Sequence, residues 1–352
     1  MIIRSLVLAS ACLFVLVGEA TSTSFGPGSG TAANPDSVFR TVRIVALQEP
    51  ADNPIGEITD FDVLPDGRFL VLDGMSVALR LHDENGFLKK TVGRRGSGPG
   101  EFRRPGSLTV NSAGQVFVTD HSSNRITRFT PDLEYDTTFA LPGQVVFEVK
   151  AAGDRLLVGS YRRFEDAILI VDFDGRILGS FHPFEPETFS VPYWEAITAP
   201  FLGIGNDSYF VATTTLYPIR RYALDGTKLP DFGTPPMSWI EPVRPKYGAF
   251  VGLNRNERLN SWAESFSIIS GINVYRNEMV LVTHGGLEWV PQQRFKVHQR
   301  TMDIYEQSGT KVVEDVPLPG RVLSVGEHVI FLTSEPPGPW LLRICQLWLS
   351  KP

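Results

Sequence analysis

The stretch VGRRGSGPGEFRRPGSLTV, residues 92–110, holds five glycines, two prolines and four arginines in nineteen positions. Glycine-rich loops beside basic residues often bind phosphate, but a phosphate loop closes with a lysine and a serine or threonine at the start of a helix. Here the glycines are followed by Phe102, Pro105 and a short apolar strand pattern. The stretch therefore predicts a joint between two structural units, and a nucleotide site is not expected.

On both sides of this joint the sequence repeats one pattern: an apolar strand, a tight polar turn, and a second apolar strand that ends in a small or polar residue. The second strands read RFLVLD (68–73), QVFVTD (115–120), RLLVGS (155–160), SYFVATT (208–214), EMVLVTH (278–284) and HVIFLTS (328–334). A second hairpin follows the first five, with turns such as Asp174-Gly175 that supply the positive backbone angles of tight hairpins. Six four-stranded units predict an all-β fold, a six-bladed β-propeller of antiparallel blades.

The sixth unit lacks a fourth strand, because the chain ends soon after the third, WLLRICQLWLS (340–350). An unassigned strand, VFRTVRIVAL (38–47), precedes the first unit. Pairing this N-terminal strand with the last three strands closes the ring and removes exposed edges that template aggregation. We therefore expect the propeller to span residues 38–352, with the N-terminal strand completing the last blade.

Residues 96–126 carry two motifs, a glycine-rich GxGPGEF followed by proline, and a strand motif that ends in aspartate and continues to Asn-Arg-Ile. The matching residues are Gly96, Gly98, Pro99, Gly100, Glu101, Phe102, Pro105, Gly114, Val116, Phe117, Val118, Asp120, Asn124, Arg125 and Ile126. This segment resembles the NHL repeat family. The resemblance implies a six-bladed propeller, which is the number of blades that the turns indicate independently.

The N-terminus has the pattern of a secretory signal peptide: Arg4, an apolar run over residues 6–17, and small residues before a cleavage site after Ala20. We expect residues 1–20 to be removed and residues 21–37 to form a flexible leader. Lipidation at Cys12 is the alternative, a lipid-anchored form. Both predict an exported protein, periplasmic or extracellular, and we expect a monomer without a transmembrane helix in the mature chain.

The formal net charge of -6 gives the chain no general attraction for nucleic acid, so a nucleic-acid partner is not expected. After cleavage Cys345 is the one remaining cysteine, which excludes an intramolecular disulfide. Stability must therefore come from burial of apolar side chains and from closure of the ring.

The two faces of the predicted propeller differ in loop length. We call the face that carries the first-to-second and third-to-fourth strand turns the short-turn face. The opposite face carries the second-to-third strand turns and the links between blades, and we call it the long-loop face. Every long segment falls on the long-loop face: residues 93–106, 184–200, 233–264, 284–300 and 335–339. Loops on a rigid scaffold are where binding concentrates. We therefore expect this face to recognise a ligand.

Aromatic and basic residues in these segments supply the ligand-binding candidates, since tryptophan and arginine dominate binding hot spots. The candidates are Arg94, Arg95, Arg103, Arg104, Trp194, Trp262 and Trp289, with Tyr193, Trp239, Tyr247 and Trp340 in or beside the same segments. The alternative interpretation is that the rings pack the long loops onto the propeller and that the arginines belong to a solvated linker.

The ends of the second strands are expected to surround the central channel, and four residues at three of these ends suggest a metal. These candidates are Asp73, Asp120, His121 and His284, with Ca²⁺ or Zn²⁺ as the ion. The competing interpretation is that Asp120 supports its own blade by hydrogen bonds, as the NHL resemblance implies. No nucleophile elbow and no tight metal-ligand spacing occurs in the sequence.

Two functions follow from these patterns. The first is a binding or sensing propeller without chemistry of its own, which recognises a carbohydrate, peptide or protein at the long-loop face. The second is a metal-dependent extracellular lyase or lactonase with a site at the central channel, as related propeller enzymes have.

Overall fold

The computed structural model describes residues 34–141, 144–161, 166–183, 200–242, 264–290, 294–335 and 338–349. In these residues one short helix, α1 (Pro35–Val38), precedes the strands β1 (Phe39–Ala46), β2 (Ile58–Val63), β3 (Phe69–Asp73), β4 (Ala78–His82), β5 (Leu88–Val92), β6 (Pro105–Val110), β7 (Val116–Asp120), β8 (Arg125–Phe129), β9 (Tyr135–Ala140), β10 (Val145–Ala152), β11 (Arg155–Tyr161) and β12 (Asp166–Asp172). They continue with β13 (Ile177–Pro183), β14 (Pro200–Ile204), β15 (Ser208–Thr213), β16 (Leu216–Ala223), β17 (Lys228–Phe232), β18 (Ser267–Tyr275), β19 (Met279–Val290), β20 (Arg294–Glu306), β21 (Lys311–Pro317), β22 (Arg321–Val325), β23 (Val329–Ser334) and β24 (Leu341–Leu347).

The strands form six four-stranded antiparallel sheets, each of which is one blade. Blades 1 to 5 are β2–β5, β6–β9, β10–β13, β14–β17 and β18–β21, in chain order, and blade 6 has the order β22-β23-β24-β1. The first strand of each blade contacts the first strand of the next, from β2 through β6, β10, β14 and β18 to β22, which contacts β2 again. The first strands therefore form a closed inner ring, and the prediction of a six-bladed β-propeller is confirmed.

The N-terminal strand closes the ring, as predicted. β1 pairs antiparallel with β24 from Phe39 opposite Leu347 to Ala46 opposite Leu341. Helix α1 lies at the end of the segment expected to be a flexible leader, and it is held because Asp36 forms an ion pair with Arg343 at 2.6 Å. The last blade thus combines strands from both ends of the chain, so no blade in the described residues lacks a fourth strand.

Apolar side chains fill the space between neighbouring blades. Between blades 1 and 2, for example, Leu70, Leu72 and Leu79 pack with Val118 and Phe129, all at most 1% exposed. Burying such a side chain contributes about 1.5–3 kcal/mol relative to exposure. Every blade uses both sheet faces in this way, which explains why the second strands are almost uniformly apolar.

Polar side chains of the inner strands join the blades around the channel. Asp60 Oδ2 on β2 accepts a hydrogen bond from the backbone N–H of Leu108 on β6 at 2.8 Å. The next two joints repeat this contact: Ser107 Oγ accepts from Val149 N–H at 3.4 Å and Glu148 Oε2 accepts from Leu202 N–H at 3.1 Å. Side-chain oxygens thus satisfy backbone donors that face the neighbouring blade.

The second and third strands of blade 5 are longer than the sequence predicted. β19 and β20 contain twelve and thirteen residues, and their pairing continues past a bulge between His284 and Gly286 to Val290 opposite Arg294. We expected residues 284–300 to be a long connecting segment. Most of this segment is instead paired strand, since glycine is compatible with the bulge, and the pair of strands projects beyond the blade on the long-loop face.

Candidate functional site

The ends of the second strands lie one strand outside the inner ring, and in blade 1 this position is a buried ion pair. Asp73 and Arg80 are both fully buried, with Asp73 Oδ2 2.9 Å from Arg80 Nη2. The carboxylate also accepts backbone N–H bonds from Gly56 and Glu57, at 3.0 and 3.1 Å, and thereby fixes the link that enters blade 1. These contacts already occupy the oxygens of Asp73. Metal binding by Asp73 stays a prediction.

Asp120 has the same role in blade 2. Its two oxygens accept the backbone N–H groups of Arg103 and Arg104, each at 3.0 Å, and Oδ2 lies 3.5 Å from Arg125 Nη2. The competing interpretation of Asp120, support of its own blade by hydrogen bonds, agrees with this geometry. The carboxylate fixes the glycine-rich link to the end of β7.

His121 packs against the first strands of blades 2 and 3, β6 and β10. Its Nε2 lies 2.9 Å from the carbonyl oxygen of Phe147, to which a protonated Nε2 donates. A Cβ at Gly106 would lie 1.8 Å from that nitrogen, so only glycine leaves room for the ring. Burial lowers the pKa of His121 to about 4, and the imidazole is therefore neutral near pH 7. These contacts favour packing, and metal binding by His121 stays a prediction.

His284, in contrast, faces two carboxylates. The His284 ring is 1% exposed, and its Nε2 lies 3.2 Å from Asp303 Oδ1 and 3.7 Å from Asp315 Oδ1. Asp303 is on β20 and Asp315 is on β21, so the second, third and fourth strands of blade 5 each contribute one side chain. Among the described residues this is the one group of three His, Cys, Asp or Glu whose ligand atoms converge, and all lie within 4.8 Å of one another. We call it the His284 cluster.

Blade 4 covers the His284 cluster with the link that follows β17. Ser238 donates to Asp315 from both its backbone N–H, at 3.2 Å, and its hydroxyl, at 2.5 Å. The Trp239 ring stands edge-on to the His284 ring, with 6.3 Å between centroids. The cluster therefore lies at the interface between blades 4 and 5.

Tyr305 and Lys311 surround the far side of Asp303. The Tyr305 hydroxyl and the Lys311 ammonium each lie 3.2 Å from Asp303 Oδ2. Burial would raise the pKa of Asp303, but the hydrogen bond and charge of His284, with the Asp315 N–H and Lys311, hold it below its usual range. Asp303 is therefore an anion, although it is fully buried.

The sequence did not indicate Asp303 or Asp315 as site residues. A weak signal exists for Asp303, since it interrupts the apolar run TMDIY and pairs with Val282 in an interior strand. Asp315 has positive φ, at 51°, which turns its side chain from the regular strand direction. Their approach to His284 depends on strand register and on this backbone irregularity, neither of which the sequence pattern specifies.

The four candidate arginines lie on the link between β5 and β6, which folds back on itself. Glu101 accepts hydrogen bonds from Gly98 N–H at 2.8 Å and Arg94 Nε at 2.7 Å, and these donors lower its pKa. A Cβ at Gly96 would lie 2.0 Å from the same carboxylate, which explains one glycine of the motif. The side chains of Arg94, Arg95 and Arg103 are exposed, and Arg104 is partly buried.

The tryptophan candidates divide into two groups. Trp194 and Trp262 lie outside the described residues, and Trp289 is placed only by its backbone on the projecting part of β19. Trp239 and Trp340 are buried, at 9% and 4% exposure, so for these two the packing interpretation agrees with the structure. Ligand contact by Trp194, Trp262 and Trp289 stays a prediction.

Charged side chains of the inner strands, on Asp60, Asp62, Glu148 and Lys150, also line the channel. Burial raises the pKa of Glu148 to about 7 and that of Asp62 to about 6. Burial acts to lower the pKa of Lys150, but the opposite effect of the Glu148, Asp60 and Asp62 carboxylates is larger, so the pKa is raised above its usual value. The carboxylates of this group accept hydrogen bonds from backbone N–H groups of the next blade. The main role of the group is therefore to join neighbouring blades.

Comparisons with known proteins agree with this architecture. Residues 28–186 match the model of a family described as a 6-bladed beta-propeller, DUF5128. No curated protein matches the sequence. Membership of the NHL family is not confirmed by these findings, and that assignment stays a prediction.

Solved structures show the same fold at low identity. A Bacteroides fragilis protein described as exported is 15% identical, with a TM-score of 0.60 over 90% of this chain and 98% of that chain. A member of the DUF4221 family from Bacteroides vulgatus is 10% identical, with a TM-score of 0.58 over 89% and 98%. Virginiamycin B lyase from Staphylococcus aureus is 12% identical, with a TM-score of 0.50 over 88% and 100%. At these identities the similarity concerns the fold alone.

The part of the chain that the structure describes contains no helix with the length and apolar character needed to cross a bilayer.

Proposed function

We propose that the chain is an exported propeller that binds a carbohydrate, peptide or protein at its long-loop face, without chemistry of its own. The observation that carries this proposal is the projecting β19–β20 hairpin. Beyond the bulge at Gly285 the two strands remain paired for five further residue pairs, from Gly286 opposite His298 to Val290 opposite Arg294.

A hairpin that projects from a rigid ring offers a preorganised wall for a ligand, because little conformational entropy is lost when the ligand binds. An isolated pair of strands is only marginally stable in water, so an extension of this length needs support. Val297, at 5% exposure, shows that part of the extension packs against the rest of the protein.

The short-turn face lacks comparable features in the described residues. Its turns are short and closed by backbone hydrogen bonds, such as Gly175 N–H to Asp172 O at 3.1 Å and Gly226 N–H to Ala223 O at 2.9 Å. Both glycines have φ near 90°, as tight hairpins require. This contrast in length supports recognition at the long-loop face.

The proposal of export rests on the signal-peptide pattern of residues 1–20, and the shared fold of an exported Bacteroides fragilis protein is compatible with it. The test is expression of the chain in a bacterium with and without residues 1–20, followed by fractionation. We expect the full chain in the periplasm or medium and the truncated chain in the cytoplasm. Equal distribution of the two forms would contradict export.

Ligand recognition is tested by screening the purified chain on glycan and peptide arrays and titrating each hit. The variants Trp262→Ala and Trp289→Ala should weaken binding of a hit at least tenfold, since loss of an aromatic hot spot commonly costs about 2 kcal/mol. Asp225→Asn is the control, because Asp225 is exposed and its carboxylate accepts the N–H of Thr227 within the same short turn. Loss of affinity confined to Asp225→Asn, or chemical conversion of the hit, would overturn the proposal.

A further inference from the structure

The reactive atoms of the His284 cluster are spaced like the ligands of one metal ion. His284 Nε2 lies 3.2 Å from Asp303 Oδ1 and 3.7 Å from Asp315 Oδ1. A tetrahedral ion with bonds of about 2.0–2.1 Å separates its ligand atoms by about 3.3–3.4 Å. The ligand atoms of the three residues all lie within 4.8 Å of one another, so side-chain adjustments would bring them to coordinating positions.

The atoms that point away from this centre are already held by other groups. His284 Nδ1 lies 3.0 Å from Thr301 Oγ1, and Asp303 Oδ2 accepts from Tyr305 and Lys311 at 3.2 Å each. Metal ligands in proteins have such partners, which fix the ring orientation and the free carboxylate oxygen. An arrangement in which the outer atoms are bonded and the inner atoms converge is what a metal site requires.

The inner oxygens retain capacity for a cation. Asp303 Oδ1 accepts the Asp315 N–H at 2.9 Å and Asp315 Oδ1 accepts the Ser238 hydroxyl at 2.5 Å. A carboxylate oxygen has two lone pairs, so one remains on Asp315 Oδ1, and one remains on Asp303 Oδ1 when His284 Nε2 carries no proton, as a metal ligand requires. Among the described residues Asp315 has no lysine or arginine within ion-pair distance, and its one titratable partner is His284.

A buried donor without a described partner lies beside the cluster. Trp239 is 9% exposed, its ring contacts the His284 ring, and its indole N–H has no hydrogen-bond partner among the described residues. A buried N–H without a partner costs about 1–3 kcal/mol. An oxygen in a fourth coordination position, from water or from a ligand, is the kind of acceptor that this donor lacks.

We propose that His284, Asp303 and Asp315 bind one divalent ion of the zinc type at the interface between blades 4 and 5. Imidazole with carboxylate is a donor set that zinc accepts, whereas calcium prefers six to eight oxygens. The site fixes the second, third and fourth strands of blade 5 at the base of the projecting hairpin. The proposal does not depend on export or on ligand recognition, so it stands or fails separately.

The experiment is calorimetric titration of the purified, chelator-treated full chain with Zn²⁺. We expect one zinc per chain, with calcium at millimolar concentration failing to compete. His284→Gln and Asp315→Asn should weaken zinc binding about 100-fold or more, and Thr301→Val about tenfold, as expected for loss of a group that orients a ligand. Asp315→Asn should fold, because the residue is partly exposed and asparagine tolerates its positive φ.

His182→Gln is the matched control: His182 is also a buried histidine, but its described partner is the hydroxyl of Tyr222, at 2.8 Å. Zinc affinity should not change in this variant. The visible absorption of Co²⁺ bound in place of zinc should show tetrahedral coordination and should disappear in Asp315→Asn. The absence of saturable zinc binding overturns the proposal, as does zinc affinity that is unchanged in Asp315→Asn and Thr301→Val. Either result would mean that the cluster is an ion-pair network of His284, Lys311 and the two aspartates.

Discussion

Blades 2 and 5 place different side chains at the same point of the repeat: Asp120 is the last residue of β7, and His284 lies within β19 just before its bulge. In blade 2 Asp120 accepts the backbone N–H groups of Arg103 and Arg104 and so fixes the link that enters its own blade. In blade 5 His284 contacts carboxylates of its third and fourth strands instead. One position of the repeat is thus structural in one blade and available for binding in another.

The two positions differ in the groups that surround the side chain at the end of the repeated motif. In blades 1 and 2 the aspartate meets donors alone, from the link backbone and from Arg80 or Arg125 on the third strand. In blade 5 the third strand supplies Asp303 and the fourth strand Asp315, so His284 faces two carboxylates. Nearby carboxylates stabilise a cation.

The largest expected change in stability is at Asp73, the structural aspartate of blade 1. Asp73→Asn leaves Arg80 buried without its charged partner, and breaking a buried pair commonly costs about 3–5 kcal/mol. The free energy of unfolding in urea should fall by that amount. Asp225→Asn, in an exposed turn, should leave the urea midpoint unchanged. A wild-type midpoint in Asp73→Asn would show that the pair does not stabilise blade 1.

The next effect depends on pH and concerns the buried imidazole of His121. Burial lowers the pKa of His121 from 6.5 to about 4, so the unfolded chain binds a proton at higher pH than the folded chain. Stability is therefore complete above pH 6.5 and falls as pH decreases to 4, by about 1.4 kcal/mol per pH unit. The difference in unfolding free energy between pH 7.5 and pH 4 should be about 3 kcal/mol smaller in His121→Gln than in the wild type.

The Glu148→Gln variant should change the pH dependence of stability in the opposite direction, and it serves as the control for this measurement. Burial raises the pKa of Glu148 from 4.5 to about 7, so its contribution to stability is lost as pH rises from 4.5 through 7. The glutamine variant should therefore gain stability relative to the wild type at pH 8 but not at pH 4. The same pH profile in both variants would show that neither group titrates as its burial indicates.

Asp120→Asn should have a smaller effect than Asp73→Asn. Arg125 is 14% exposed and 3.5 Å from Asp120, so it keeps access to water when the charge is removed. Asparagine keeps one side-chain oxygen for one of the two backbone N–H groups, and loss of the other hydrogen bond to a charged acceptor should cost about 2 kcal/mol. Urea unfolding of both variants under the same conditions gives the ranking, and the reverse order would contradict the assigned roles.

The smallest effect is expected at the exposed link. Arg94 is 81% exposed in its ion pair with Glu101, and exposed pairs contribute little. Glu101 also keeps the Gly98 N–H, so Arg94→Ala should have the urea midpoint of the wild type. A clear loss of stability would show that the link is held by charge and not by its backbone bonds.

The fold could be predicted from the sequence because it repeats. Apolar strands and Asp-Gly turns specified the four-stranded units, and the unassigned strand before the first unit indicated closure, which β1 and β24 confirm. Asp120 could be interpreted from its motif, since its partners are backbone groups of a nearby link. The His284 cluster could not, because Asp303 and Asp315 approach His284 only through the register of β19–β21 and the positive φ of Asp315.

The most direct test of the difference between blades 2 and 5 is a crystal structure of the chain with zinc, with anomalous diffraction collected at the zinc edge. The account predicts one anomalous peak bonded to His284 Nε2, Asp303 Oδ1 and Asp315 Oδ1 at about 2.0–2.2 Å, and no peak at Asp120. A peak at Asp120, or a zinc-containing crystal with no peak at His284, would contradict the claim that blade 5 has the binding position and blade 2 the structural one.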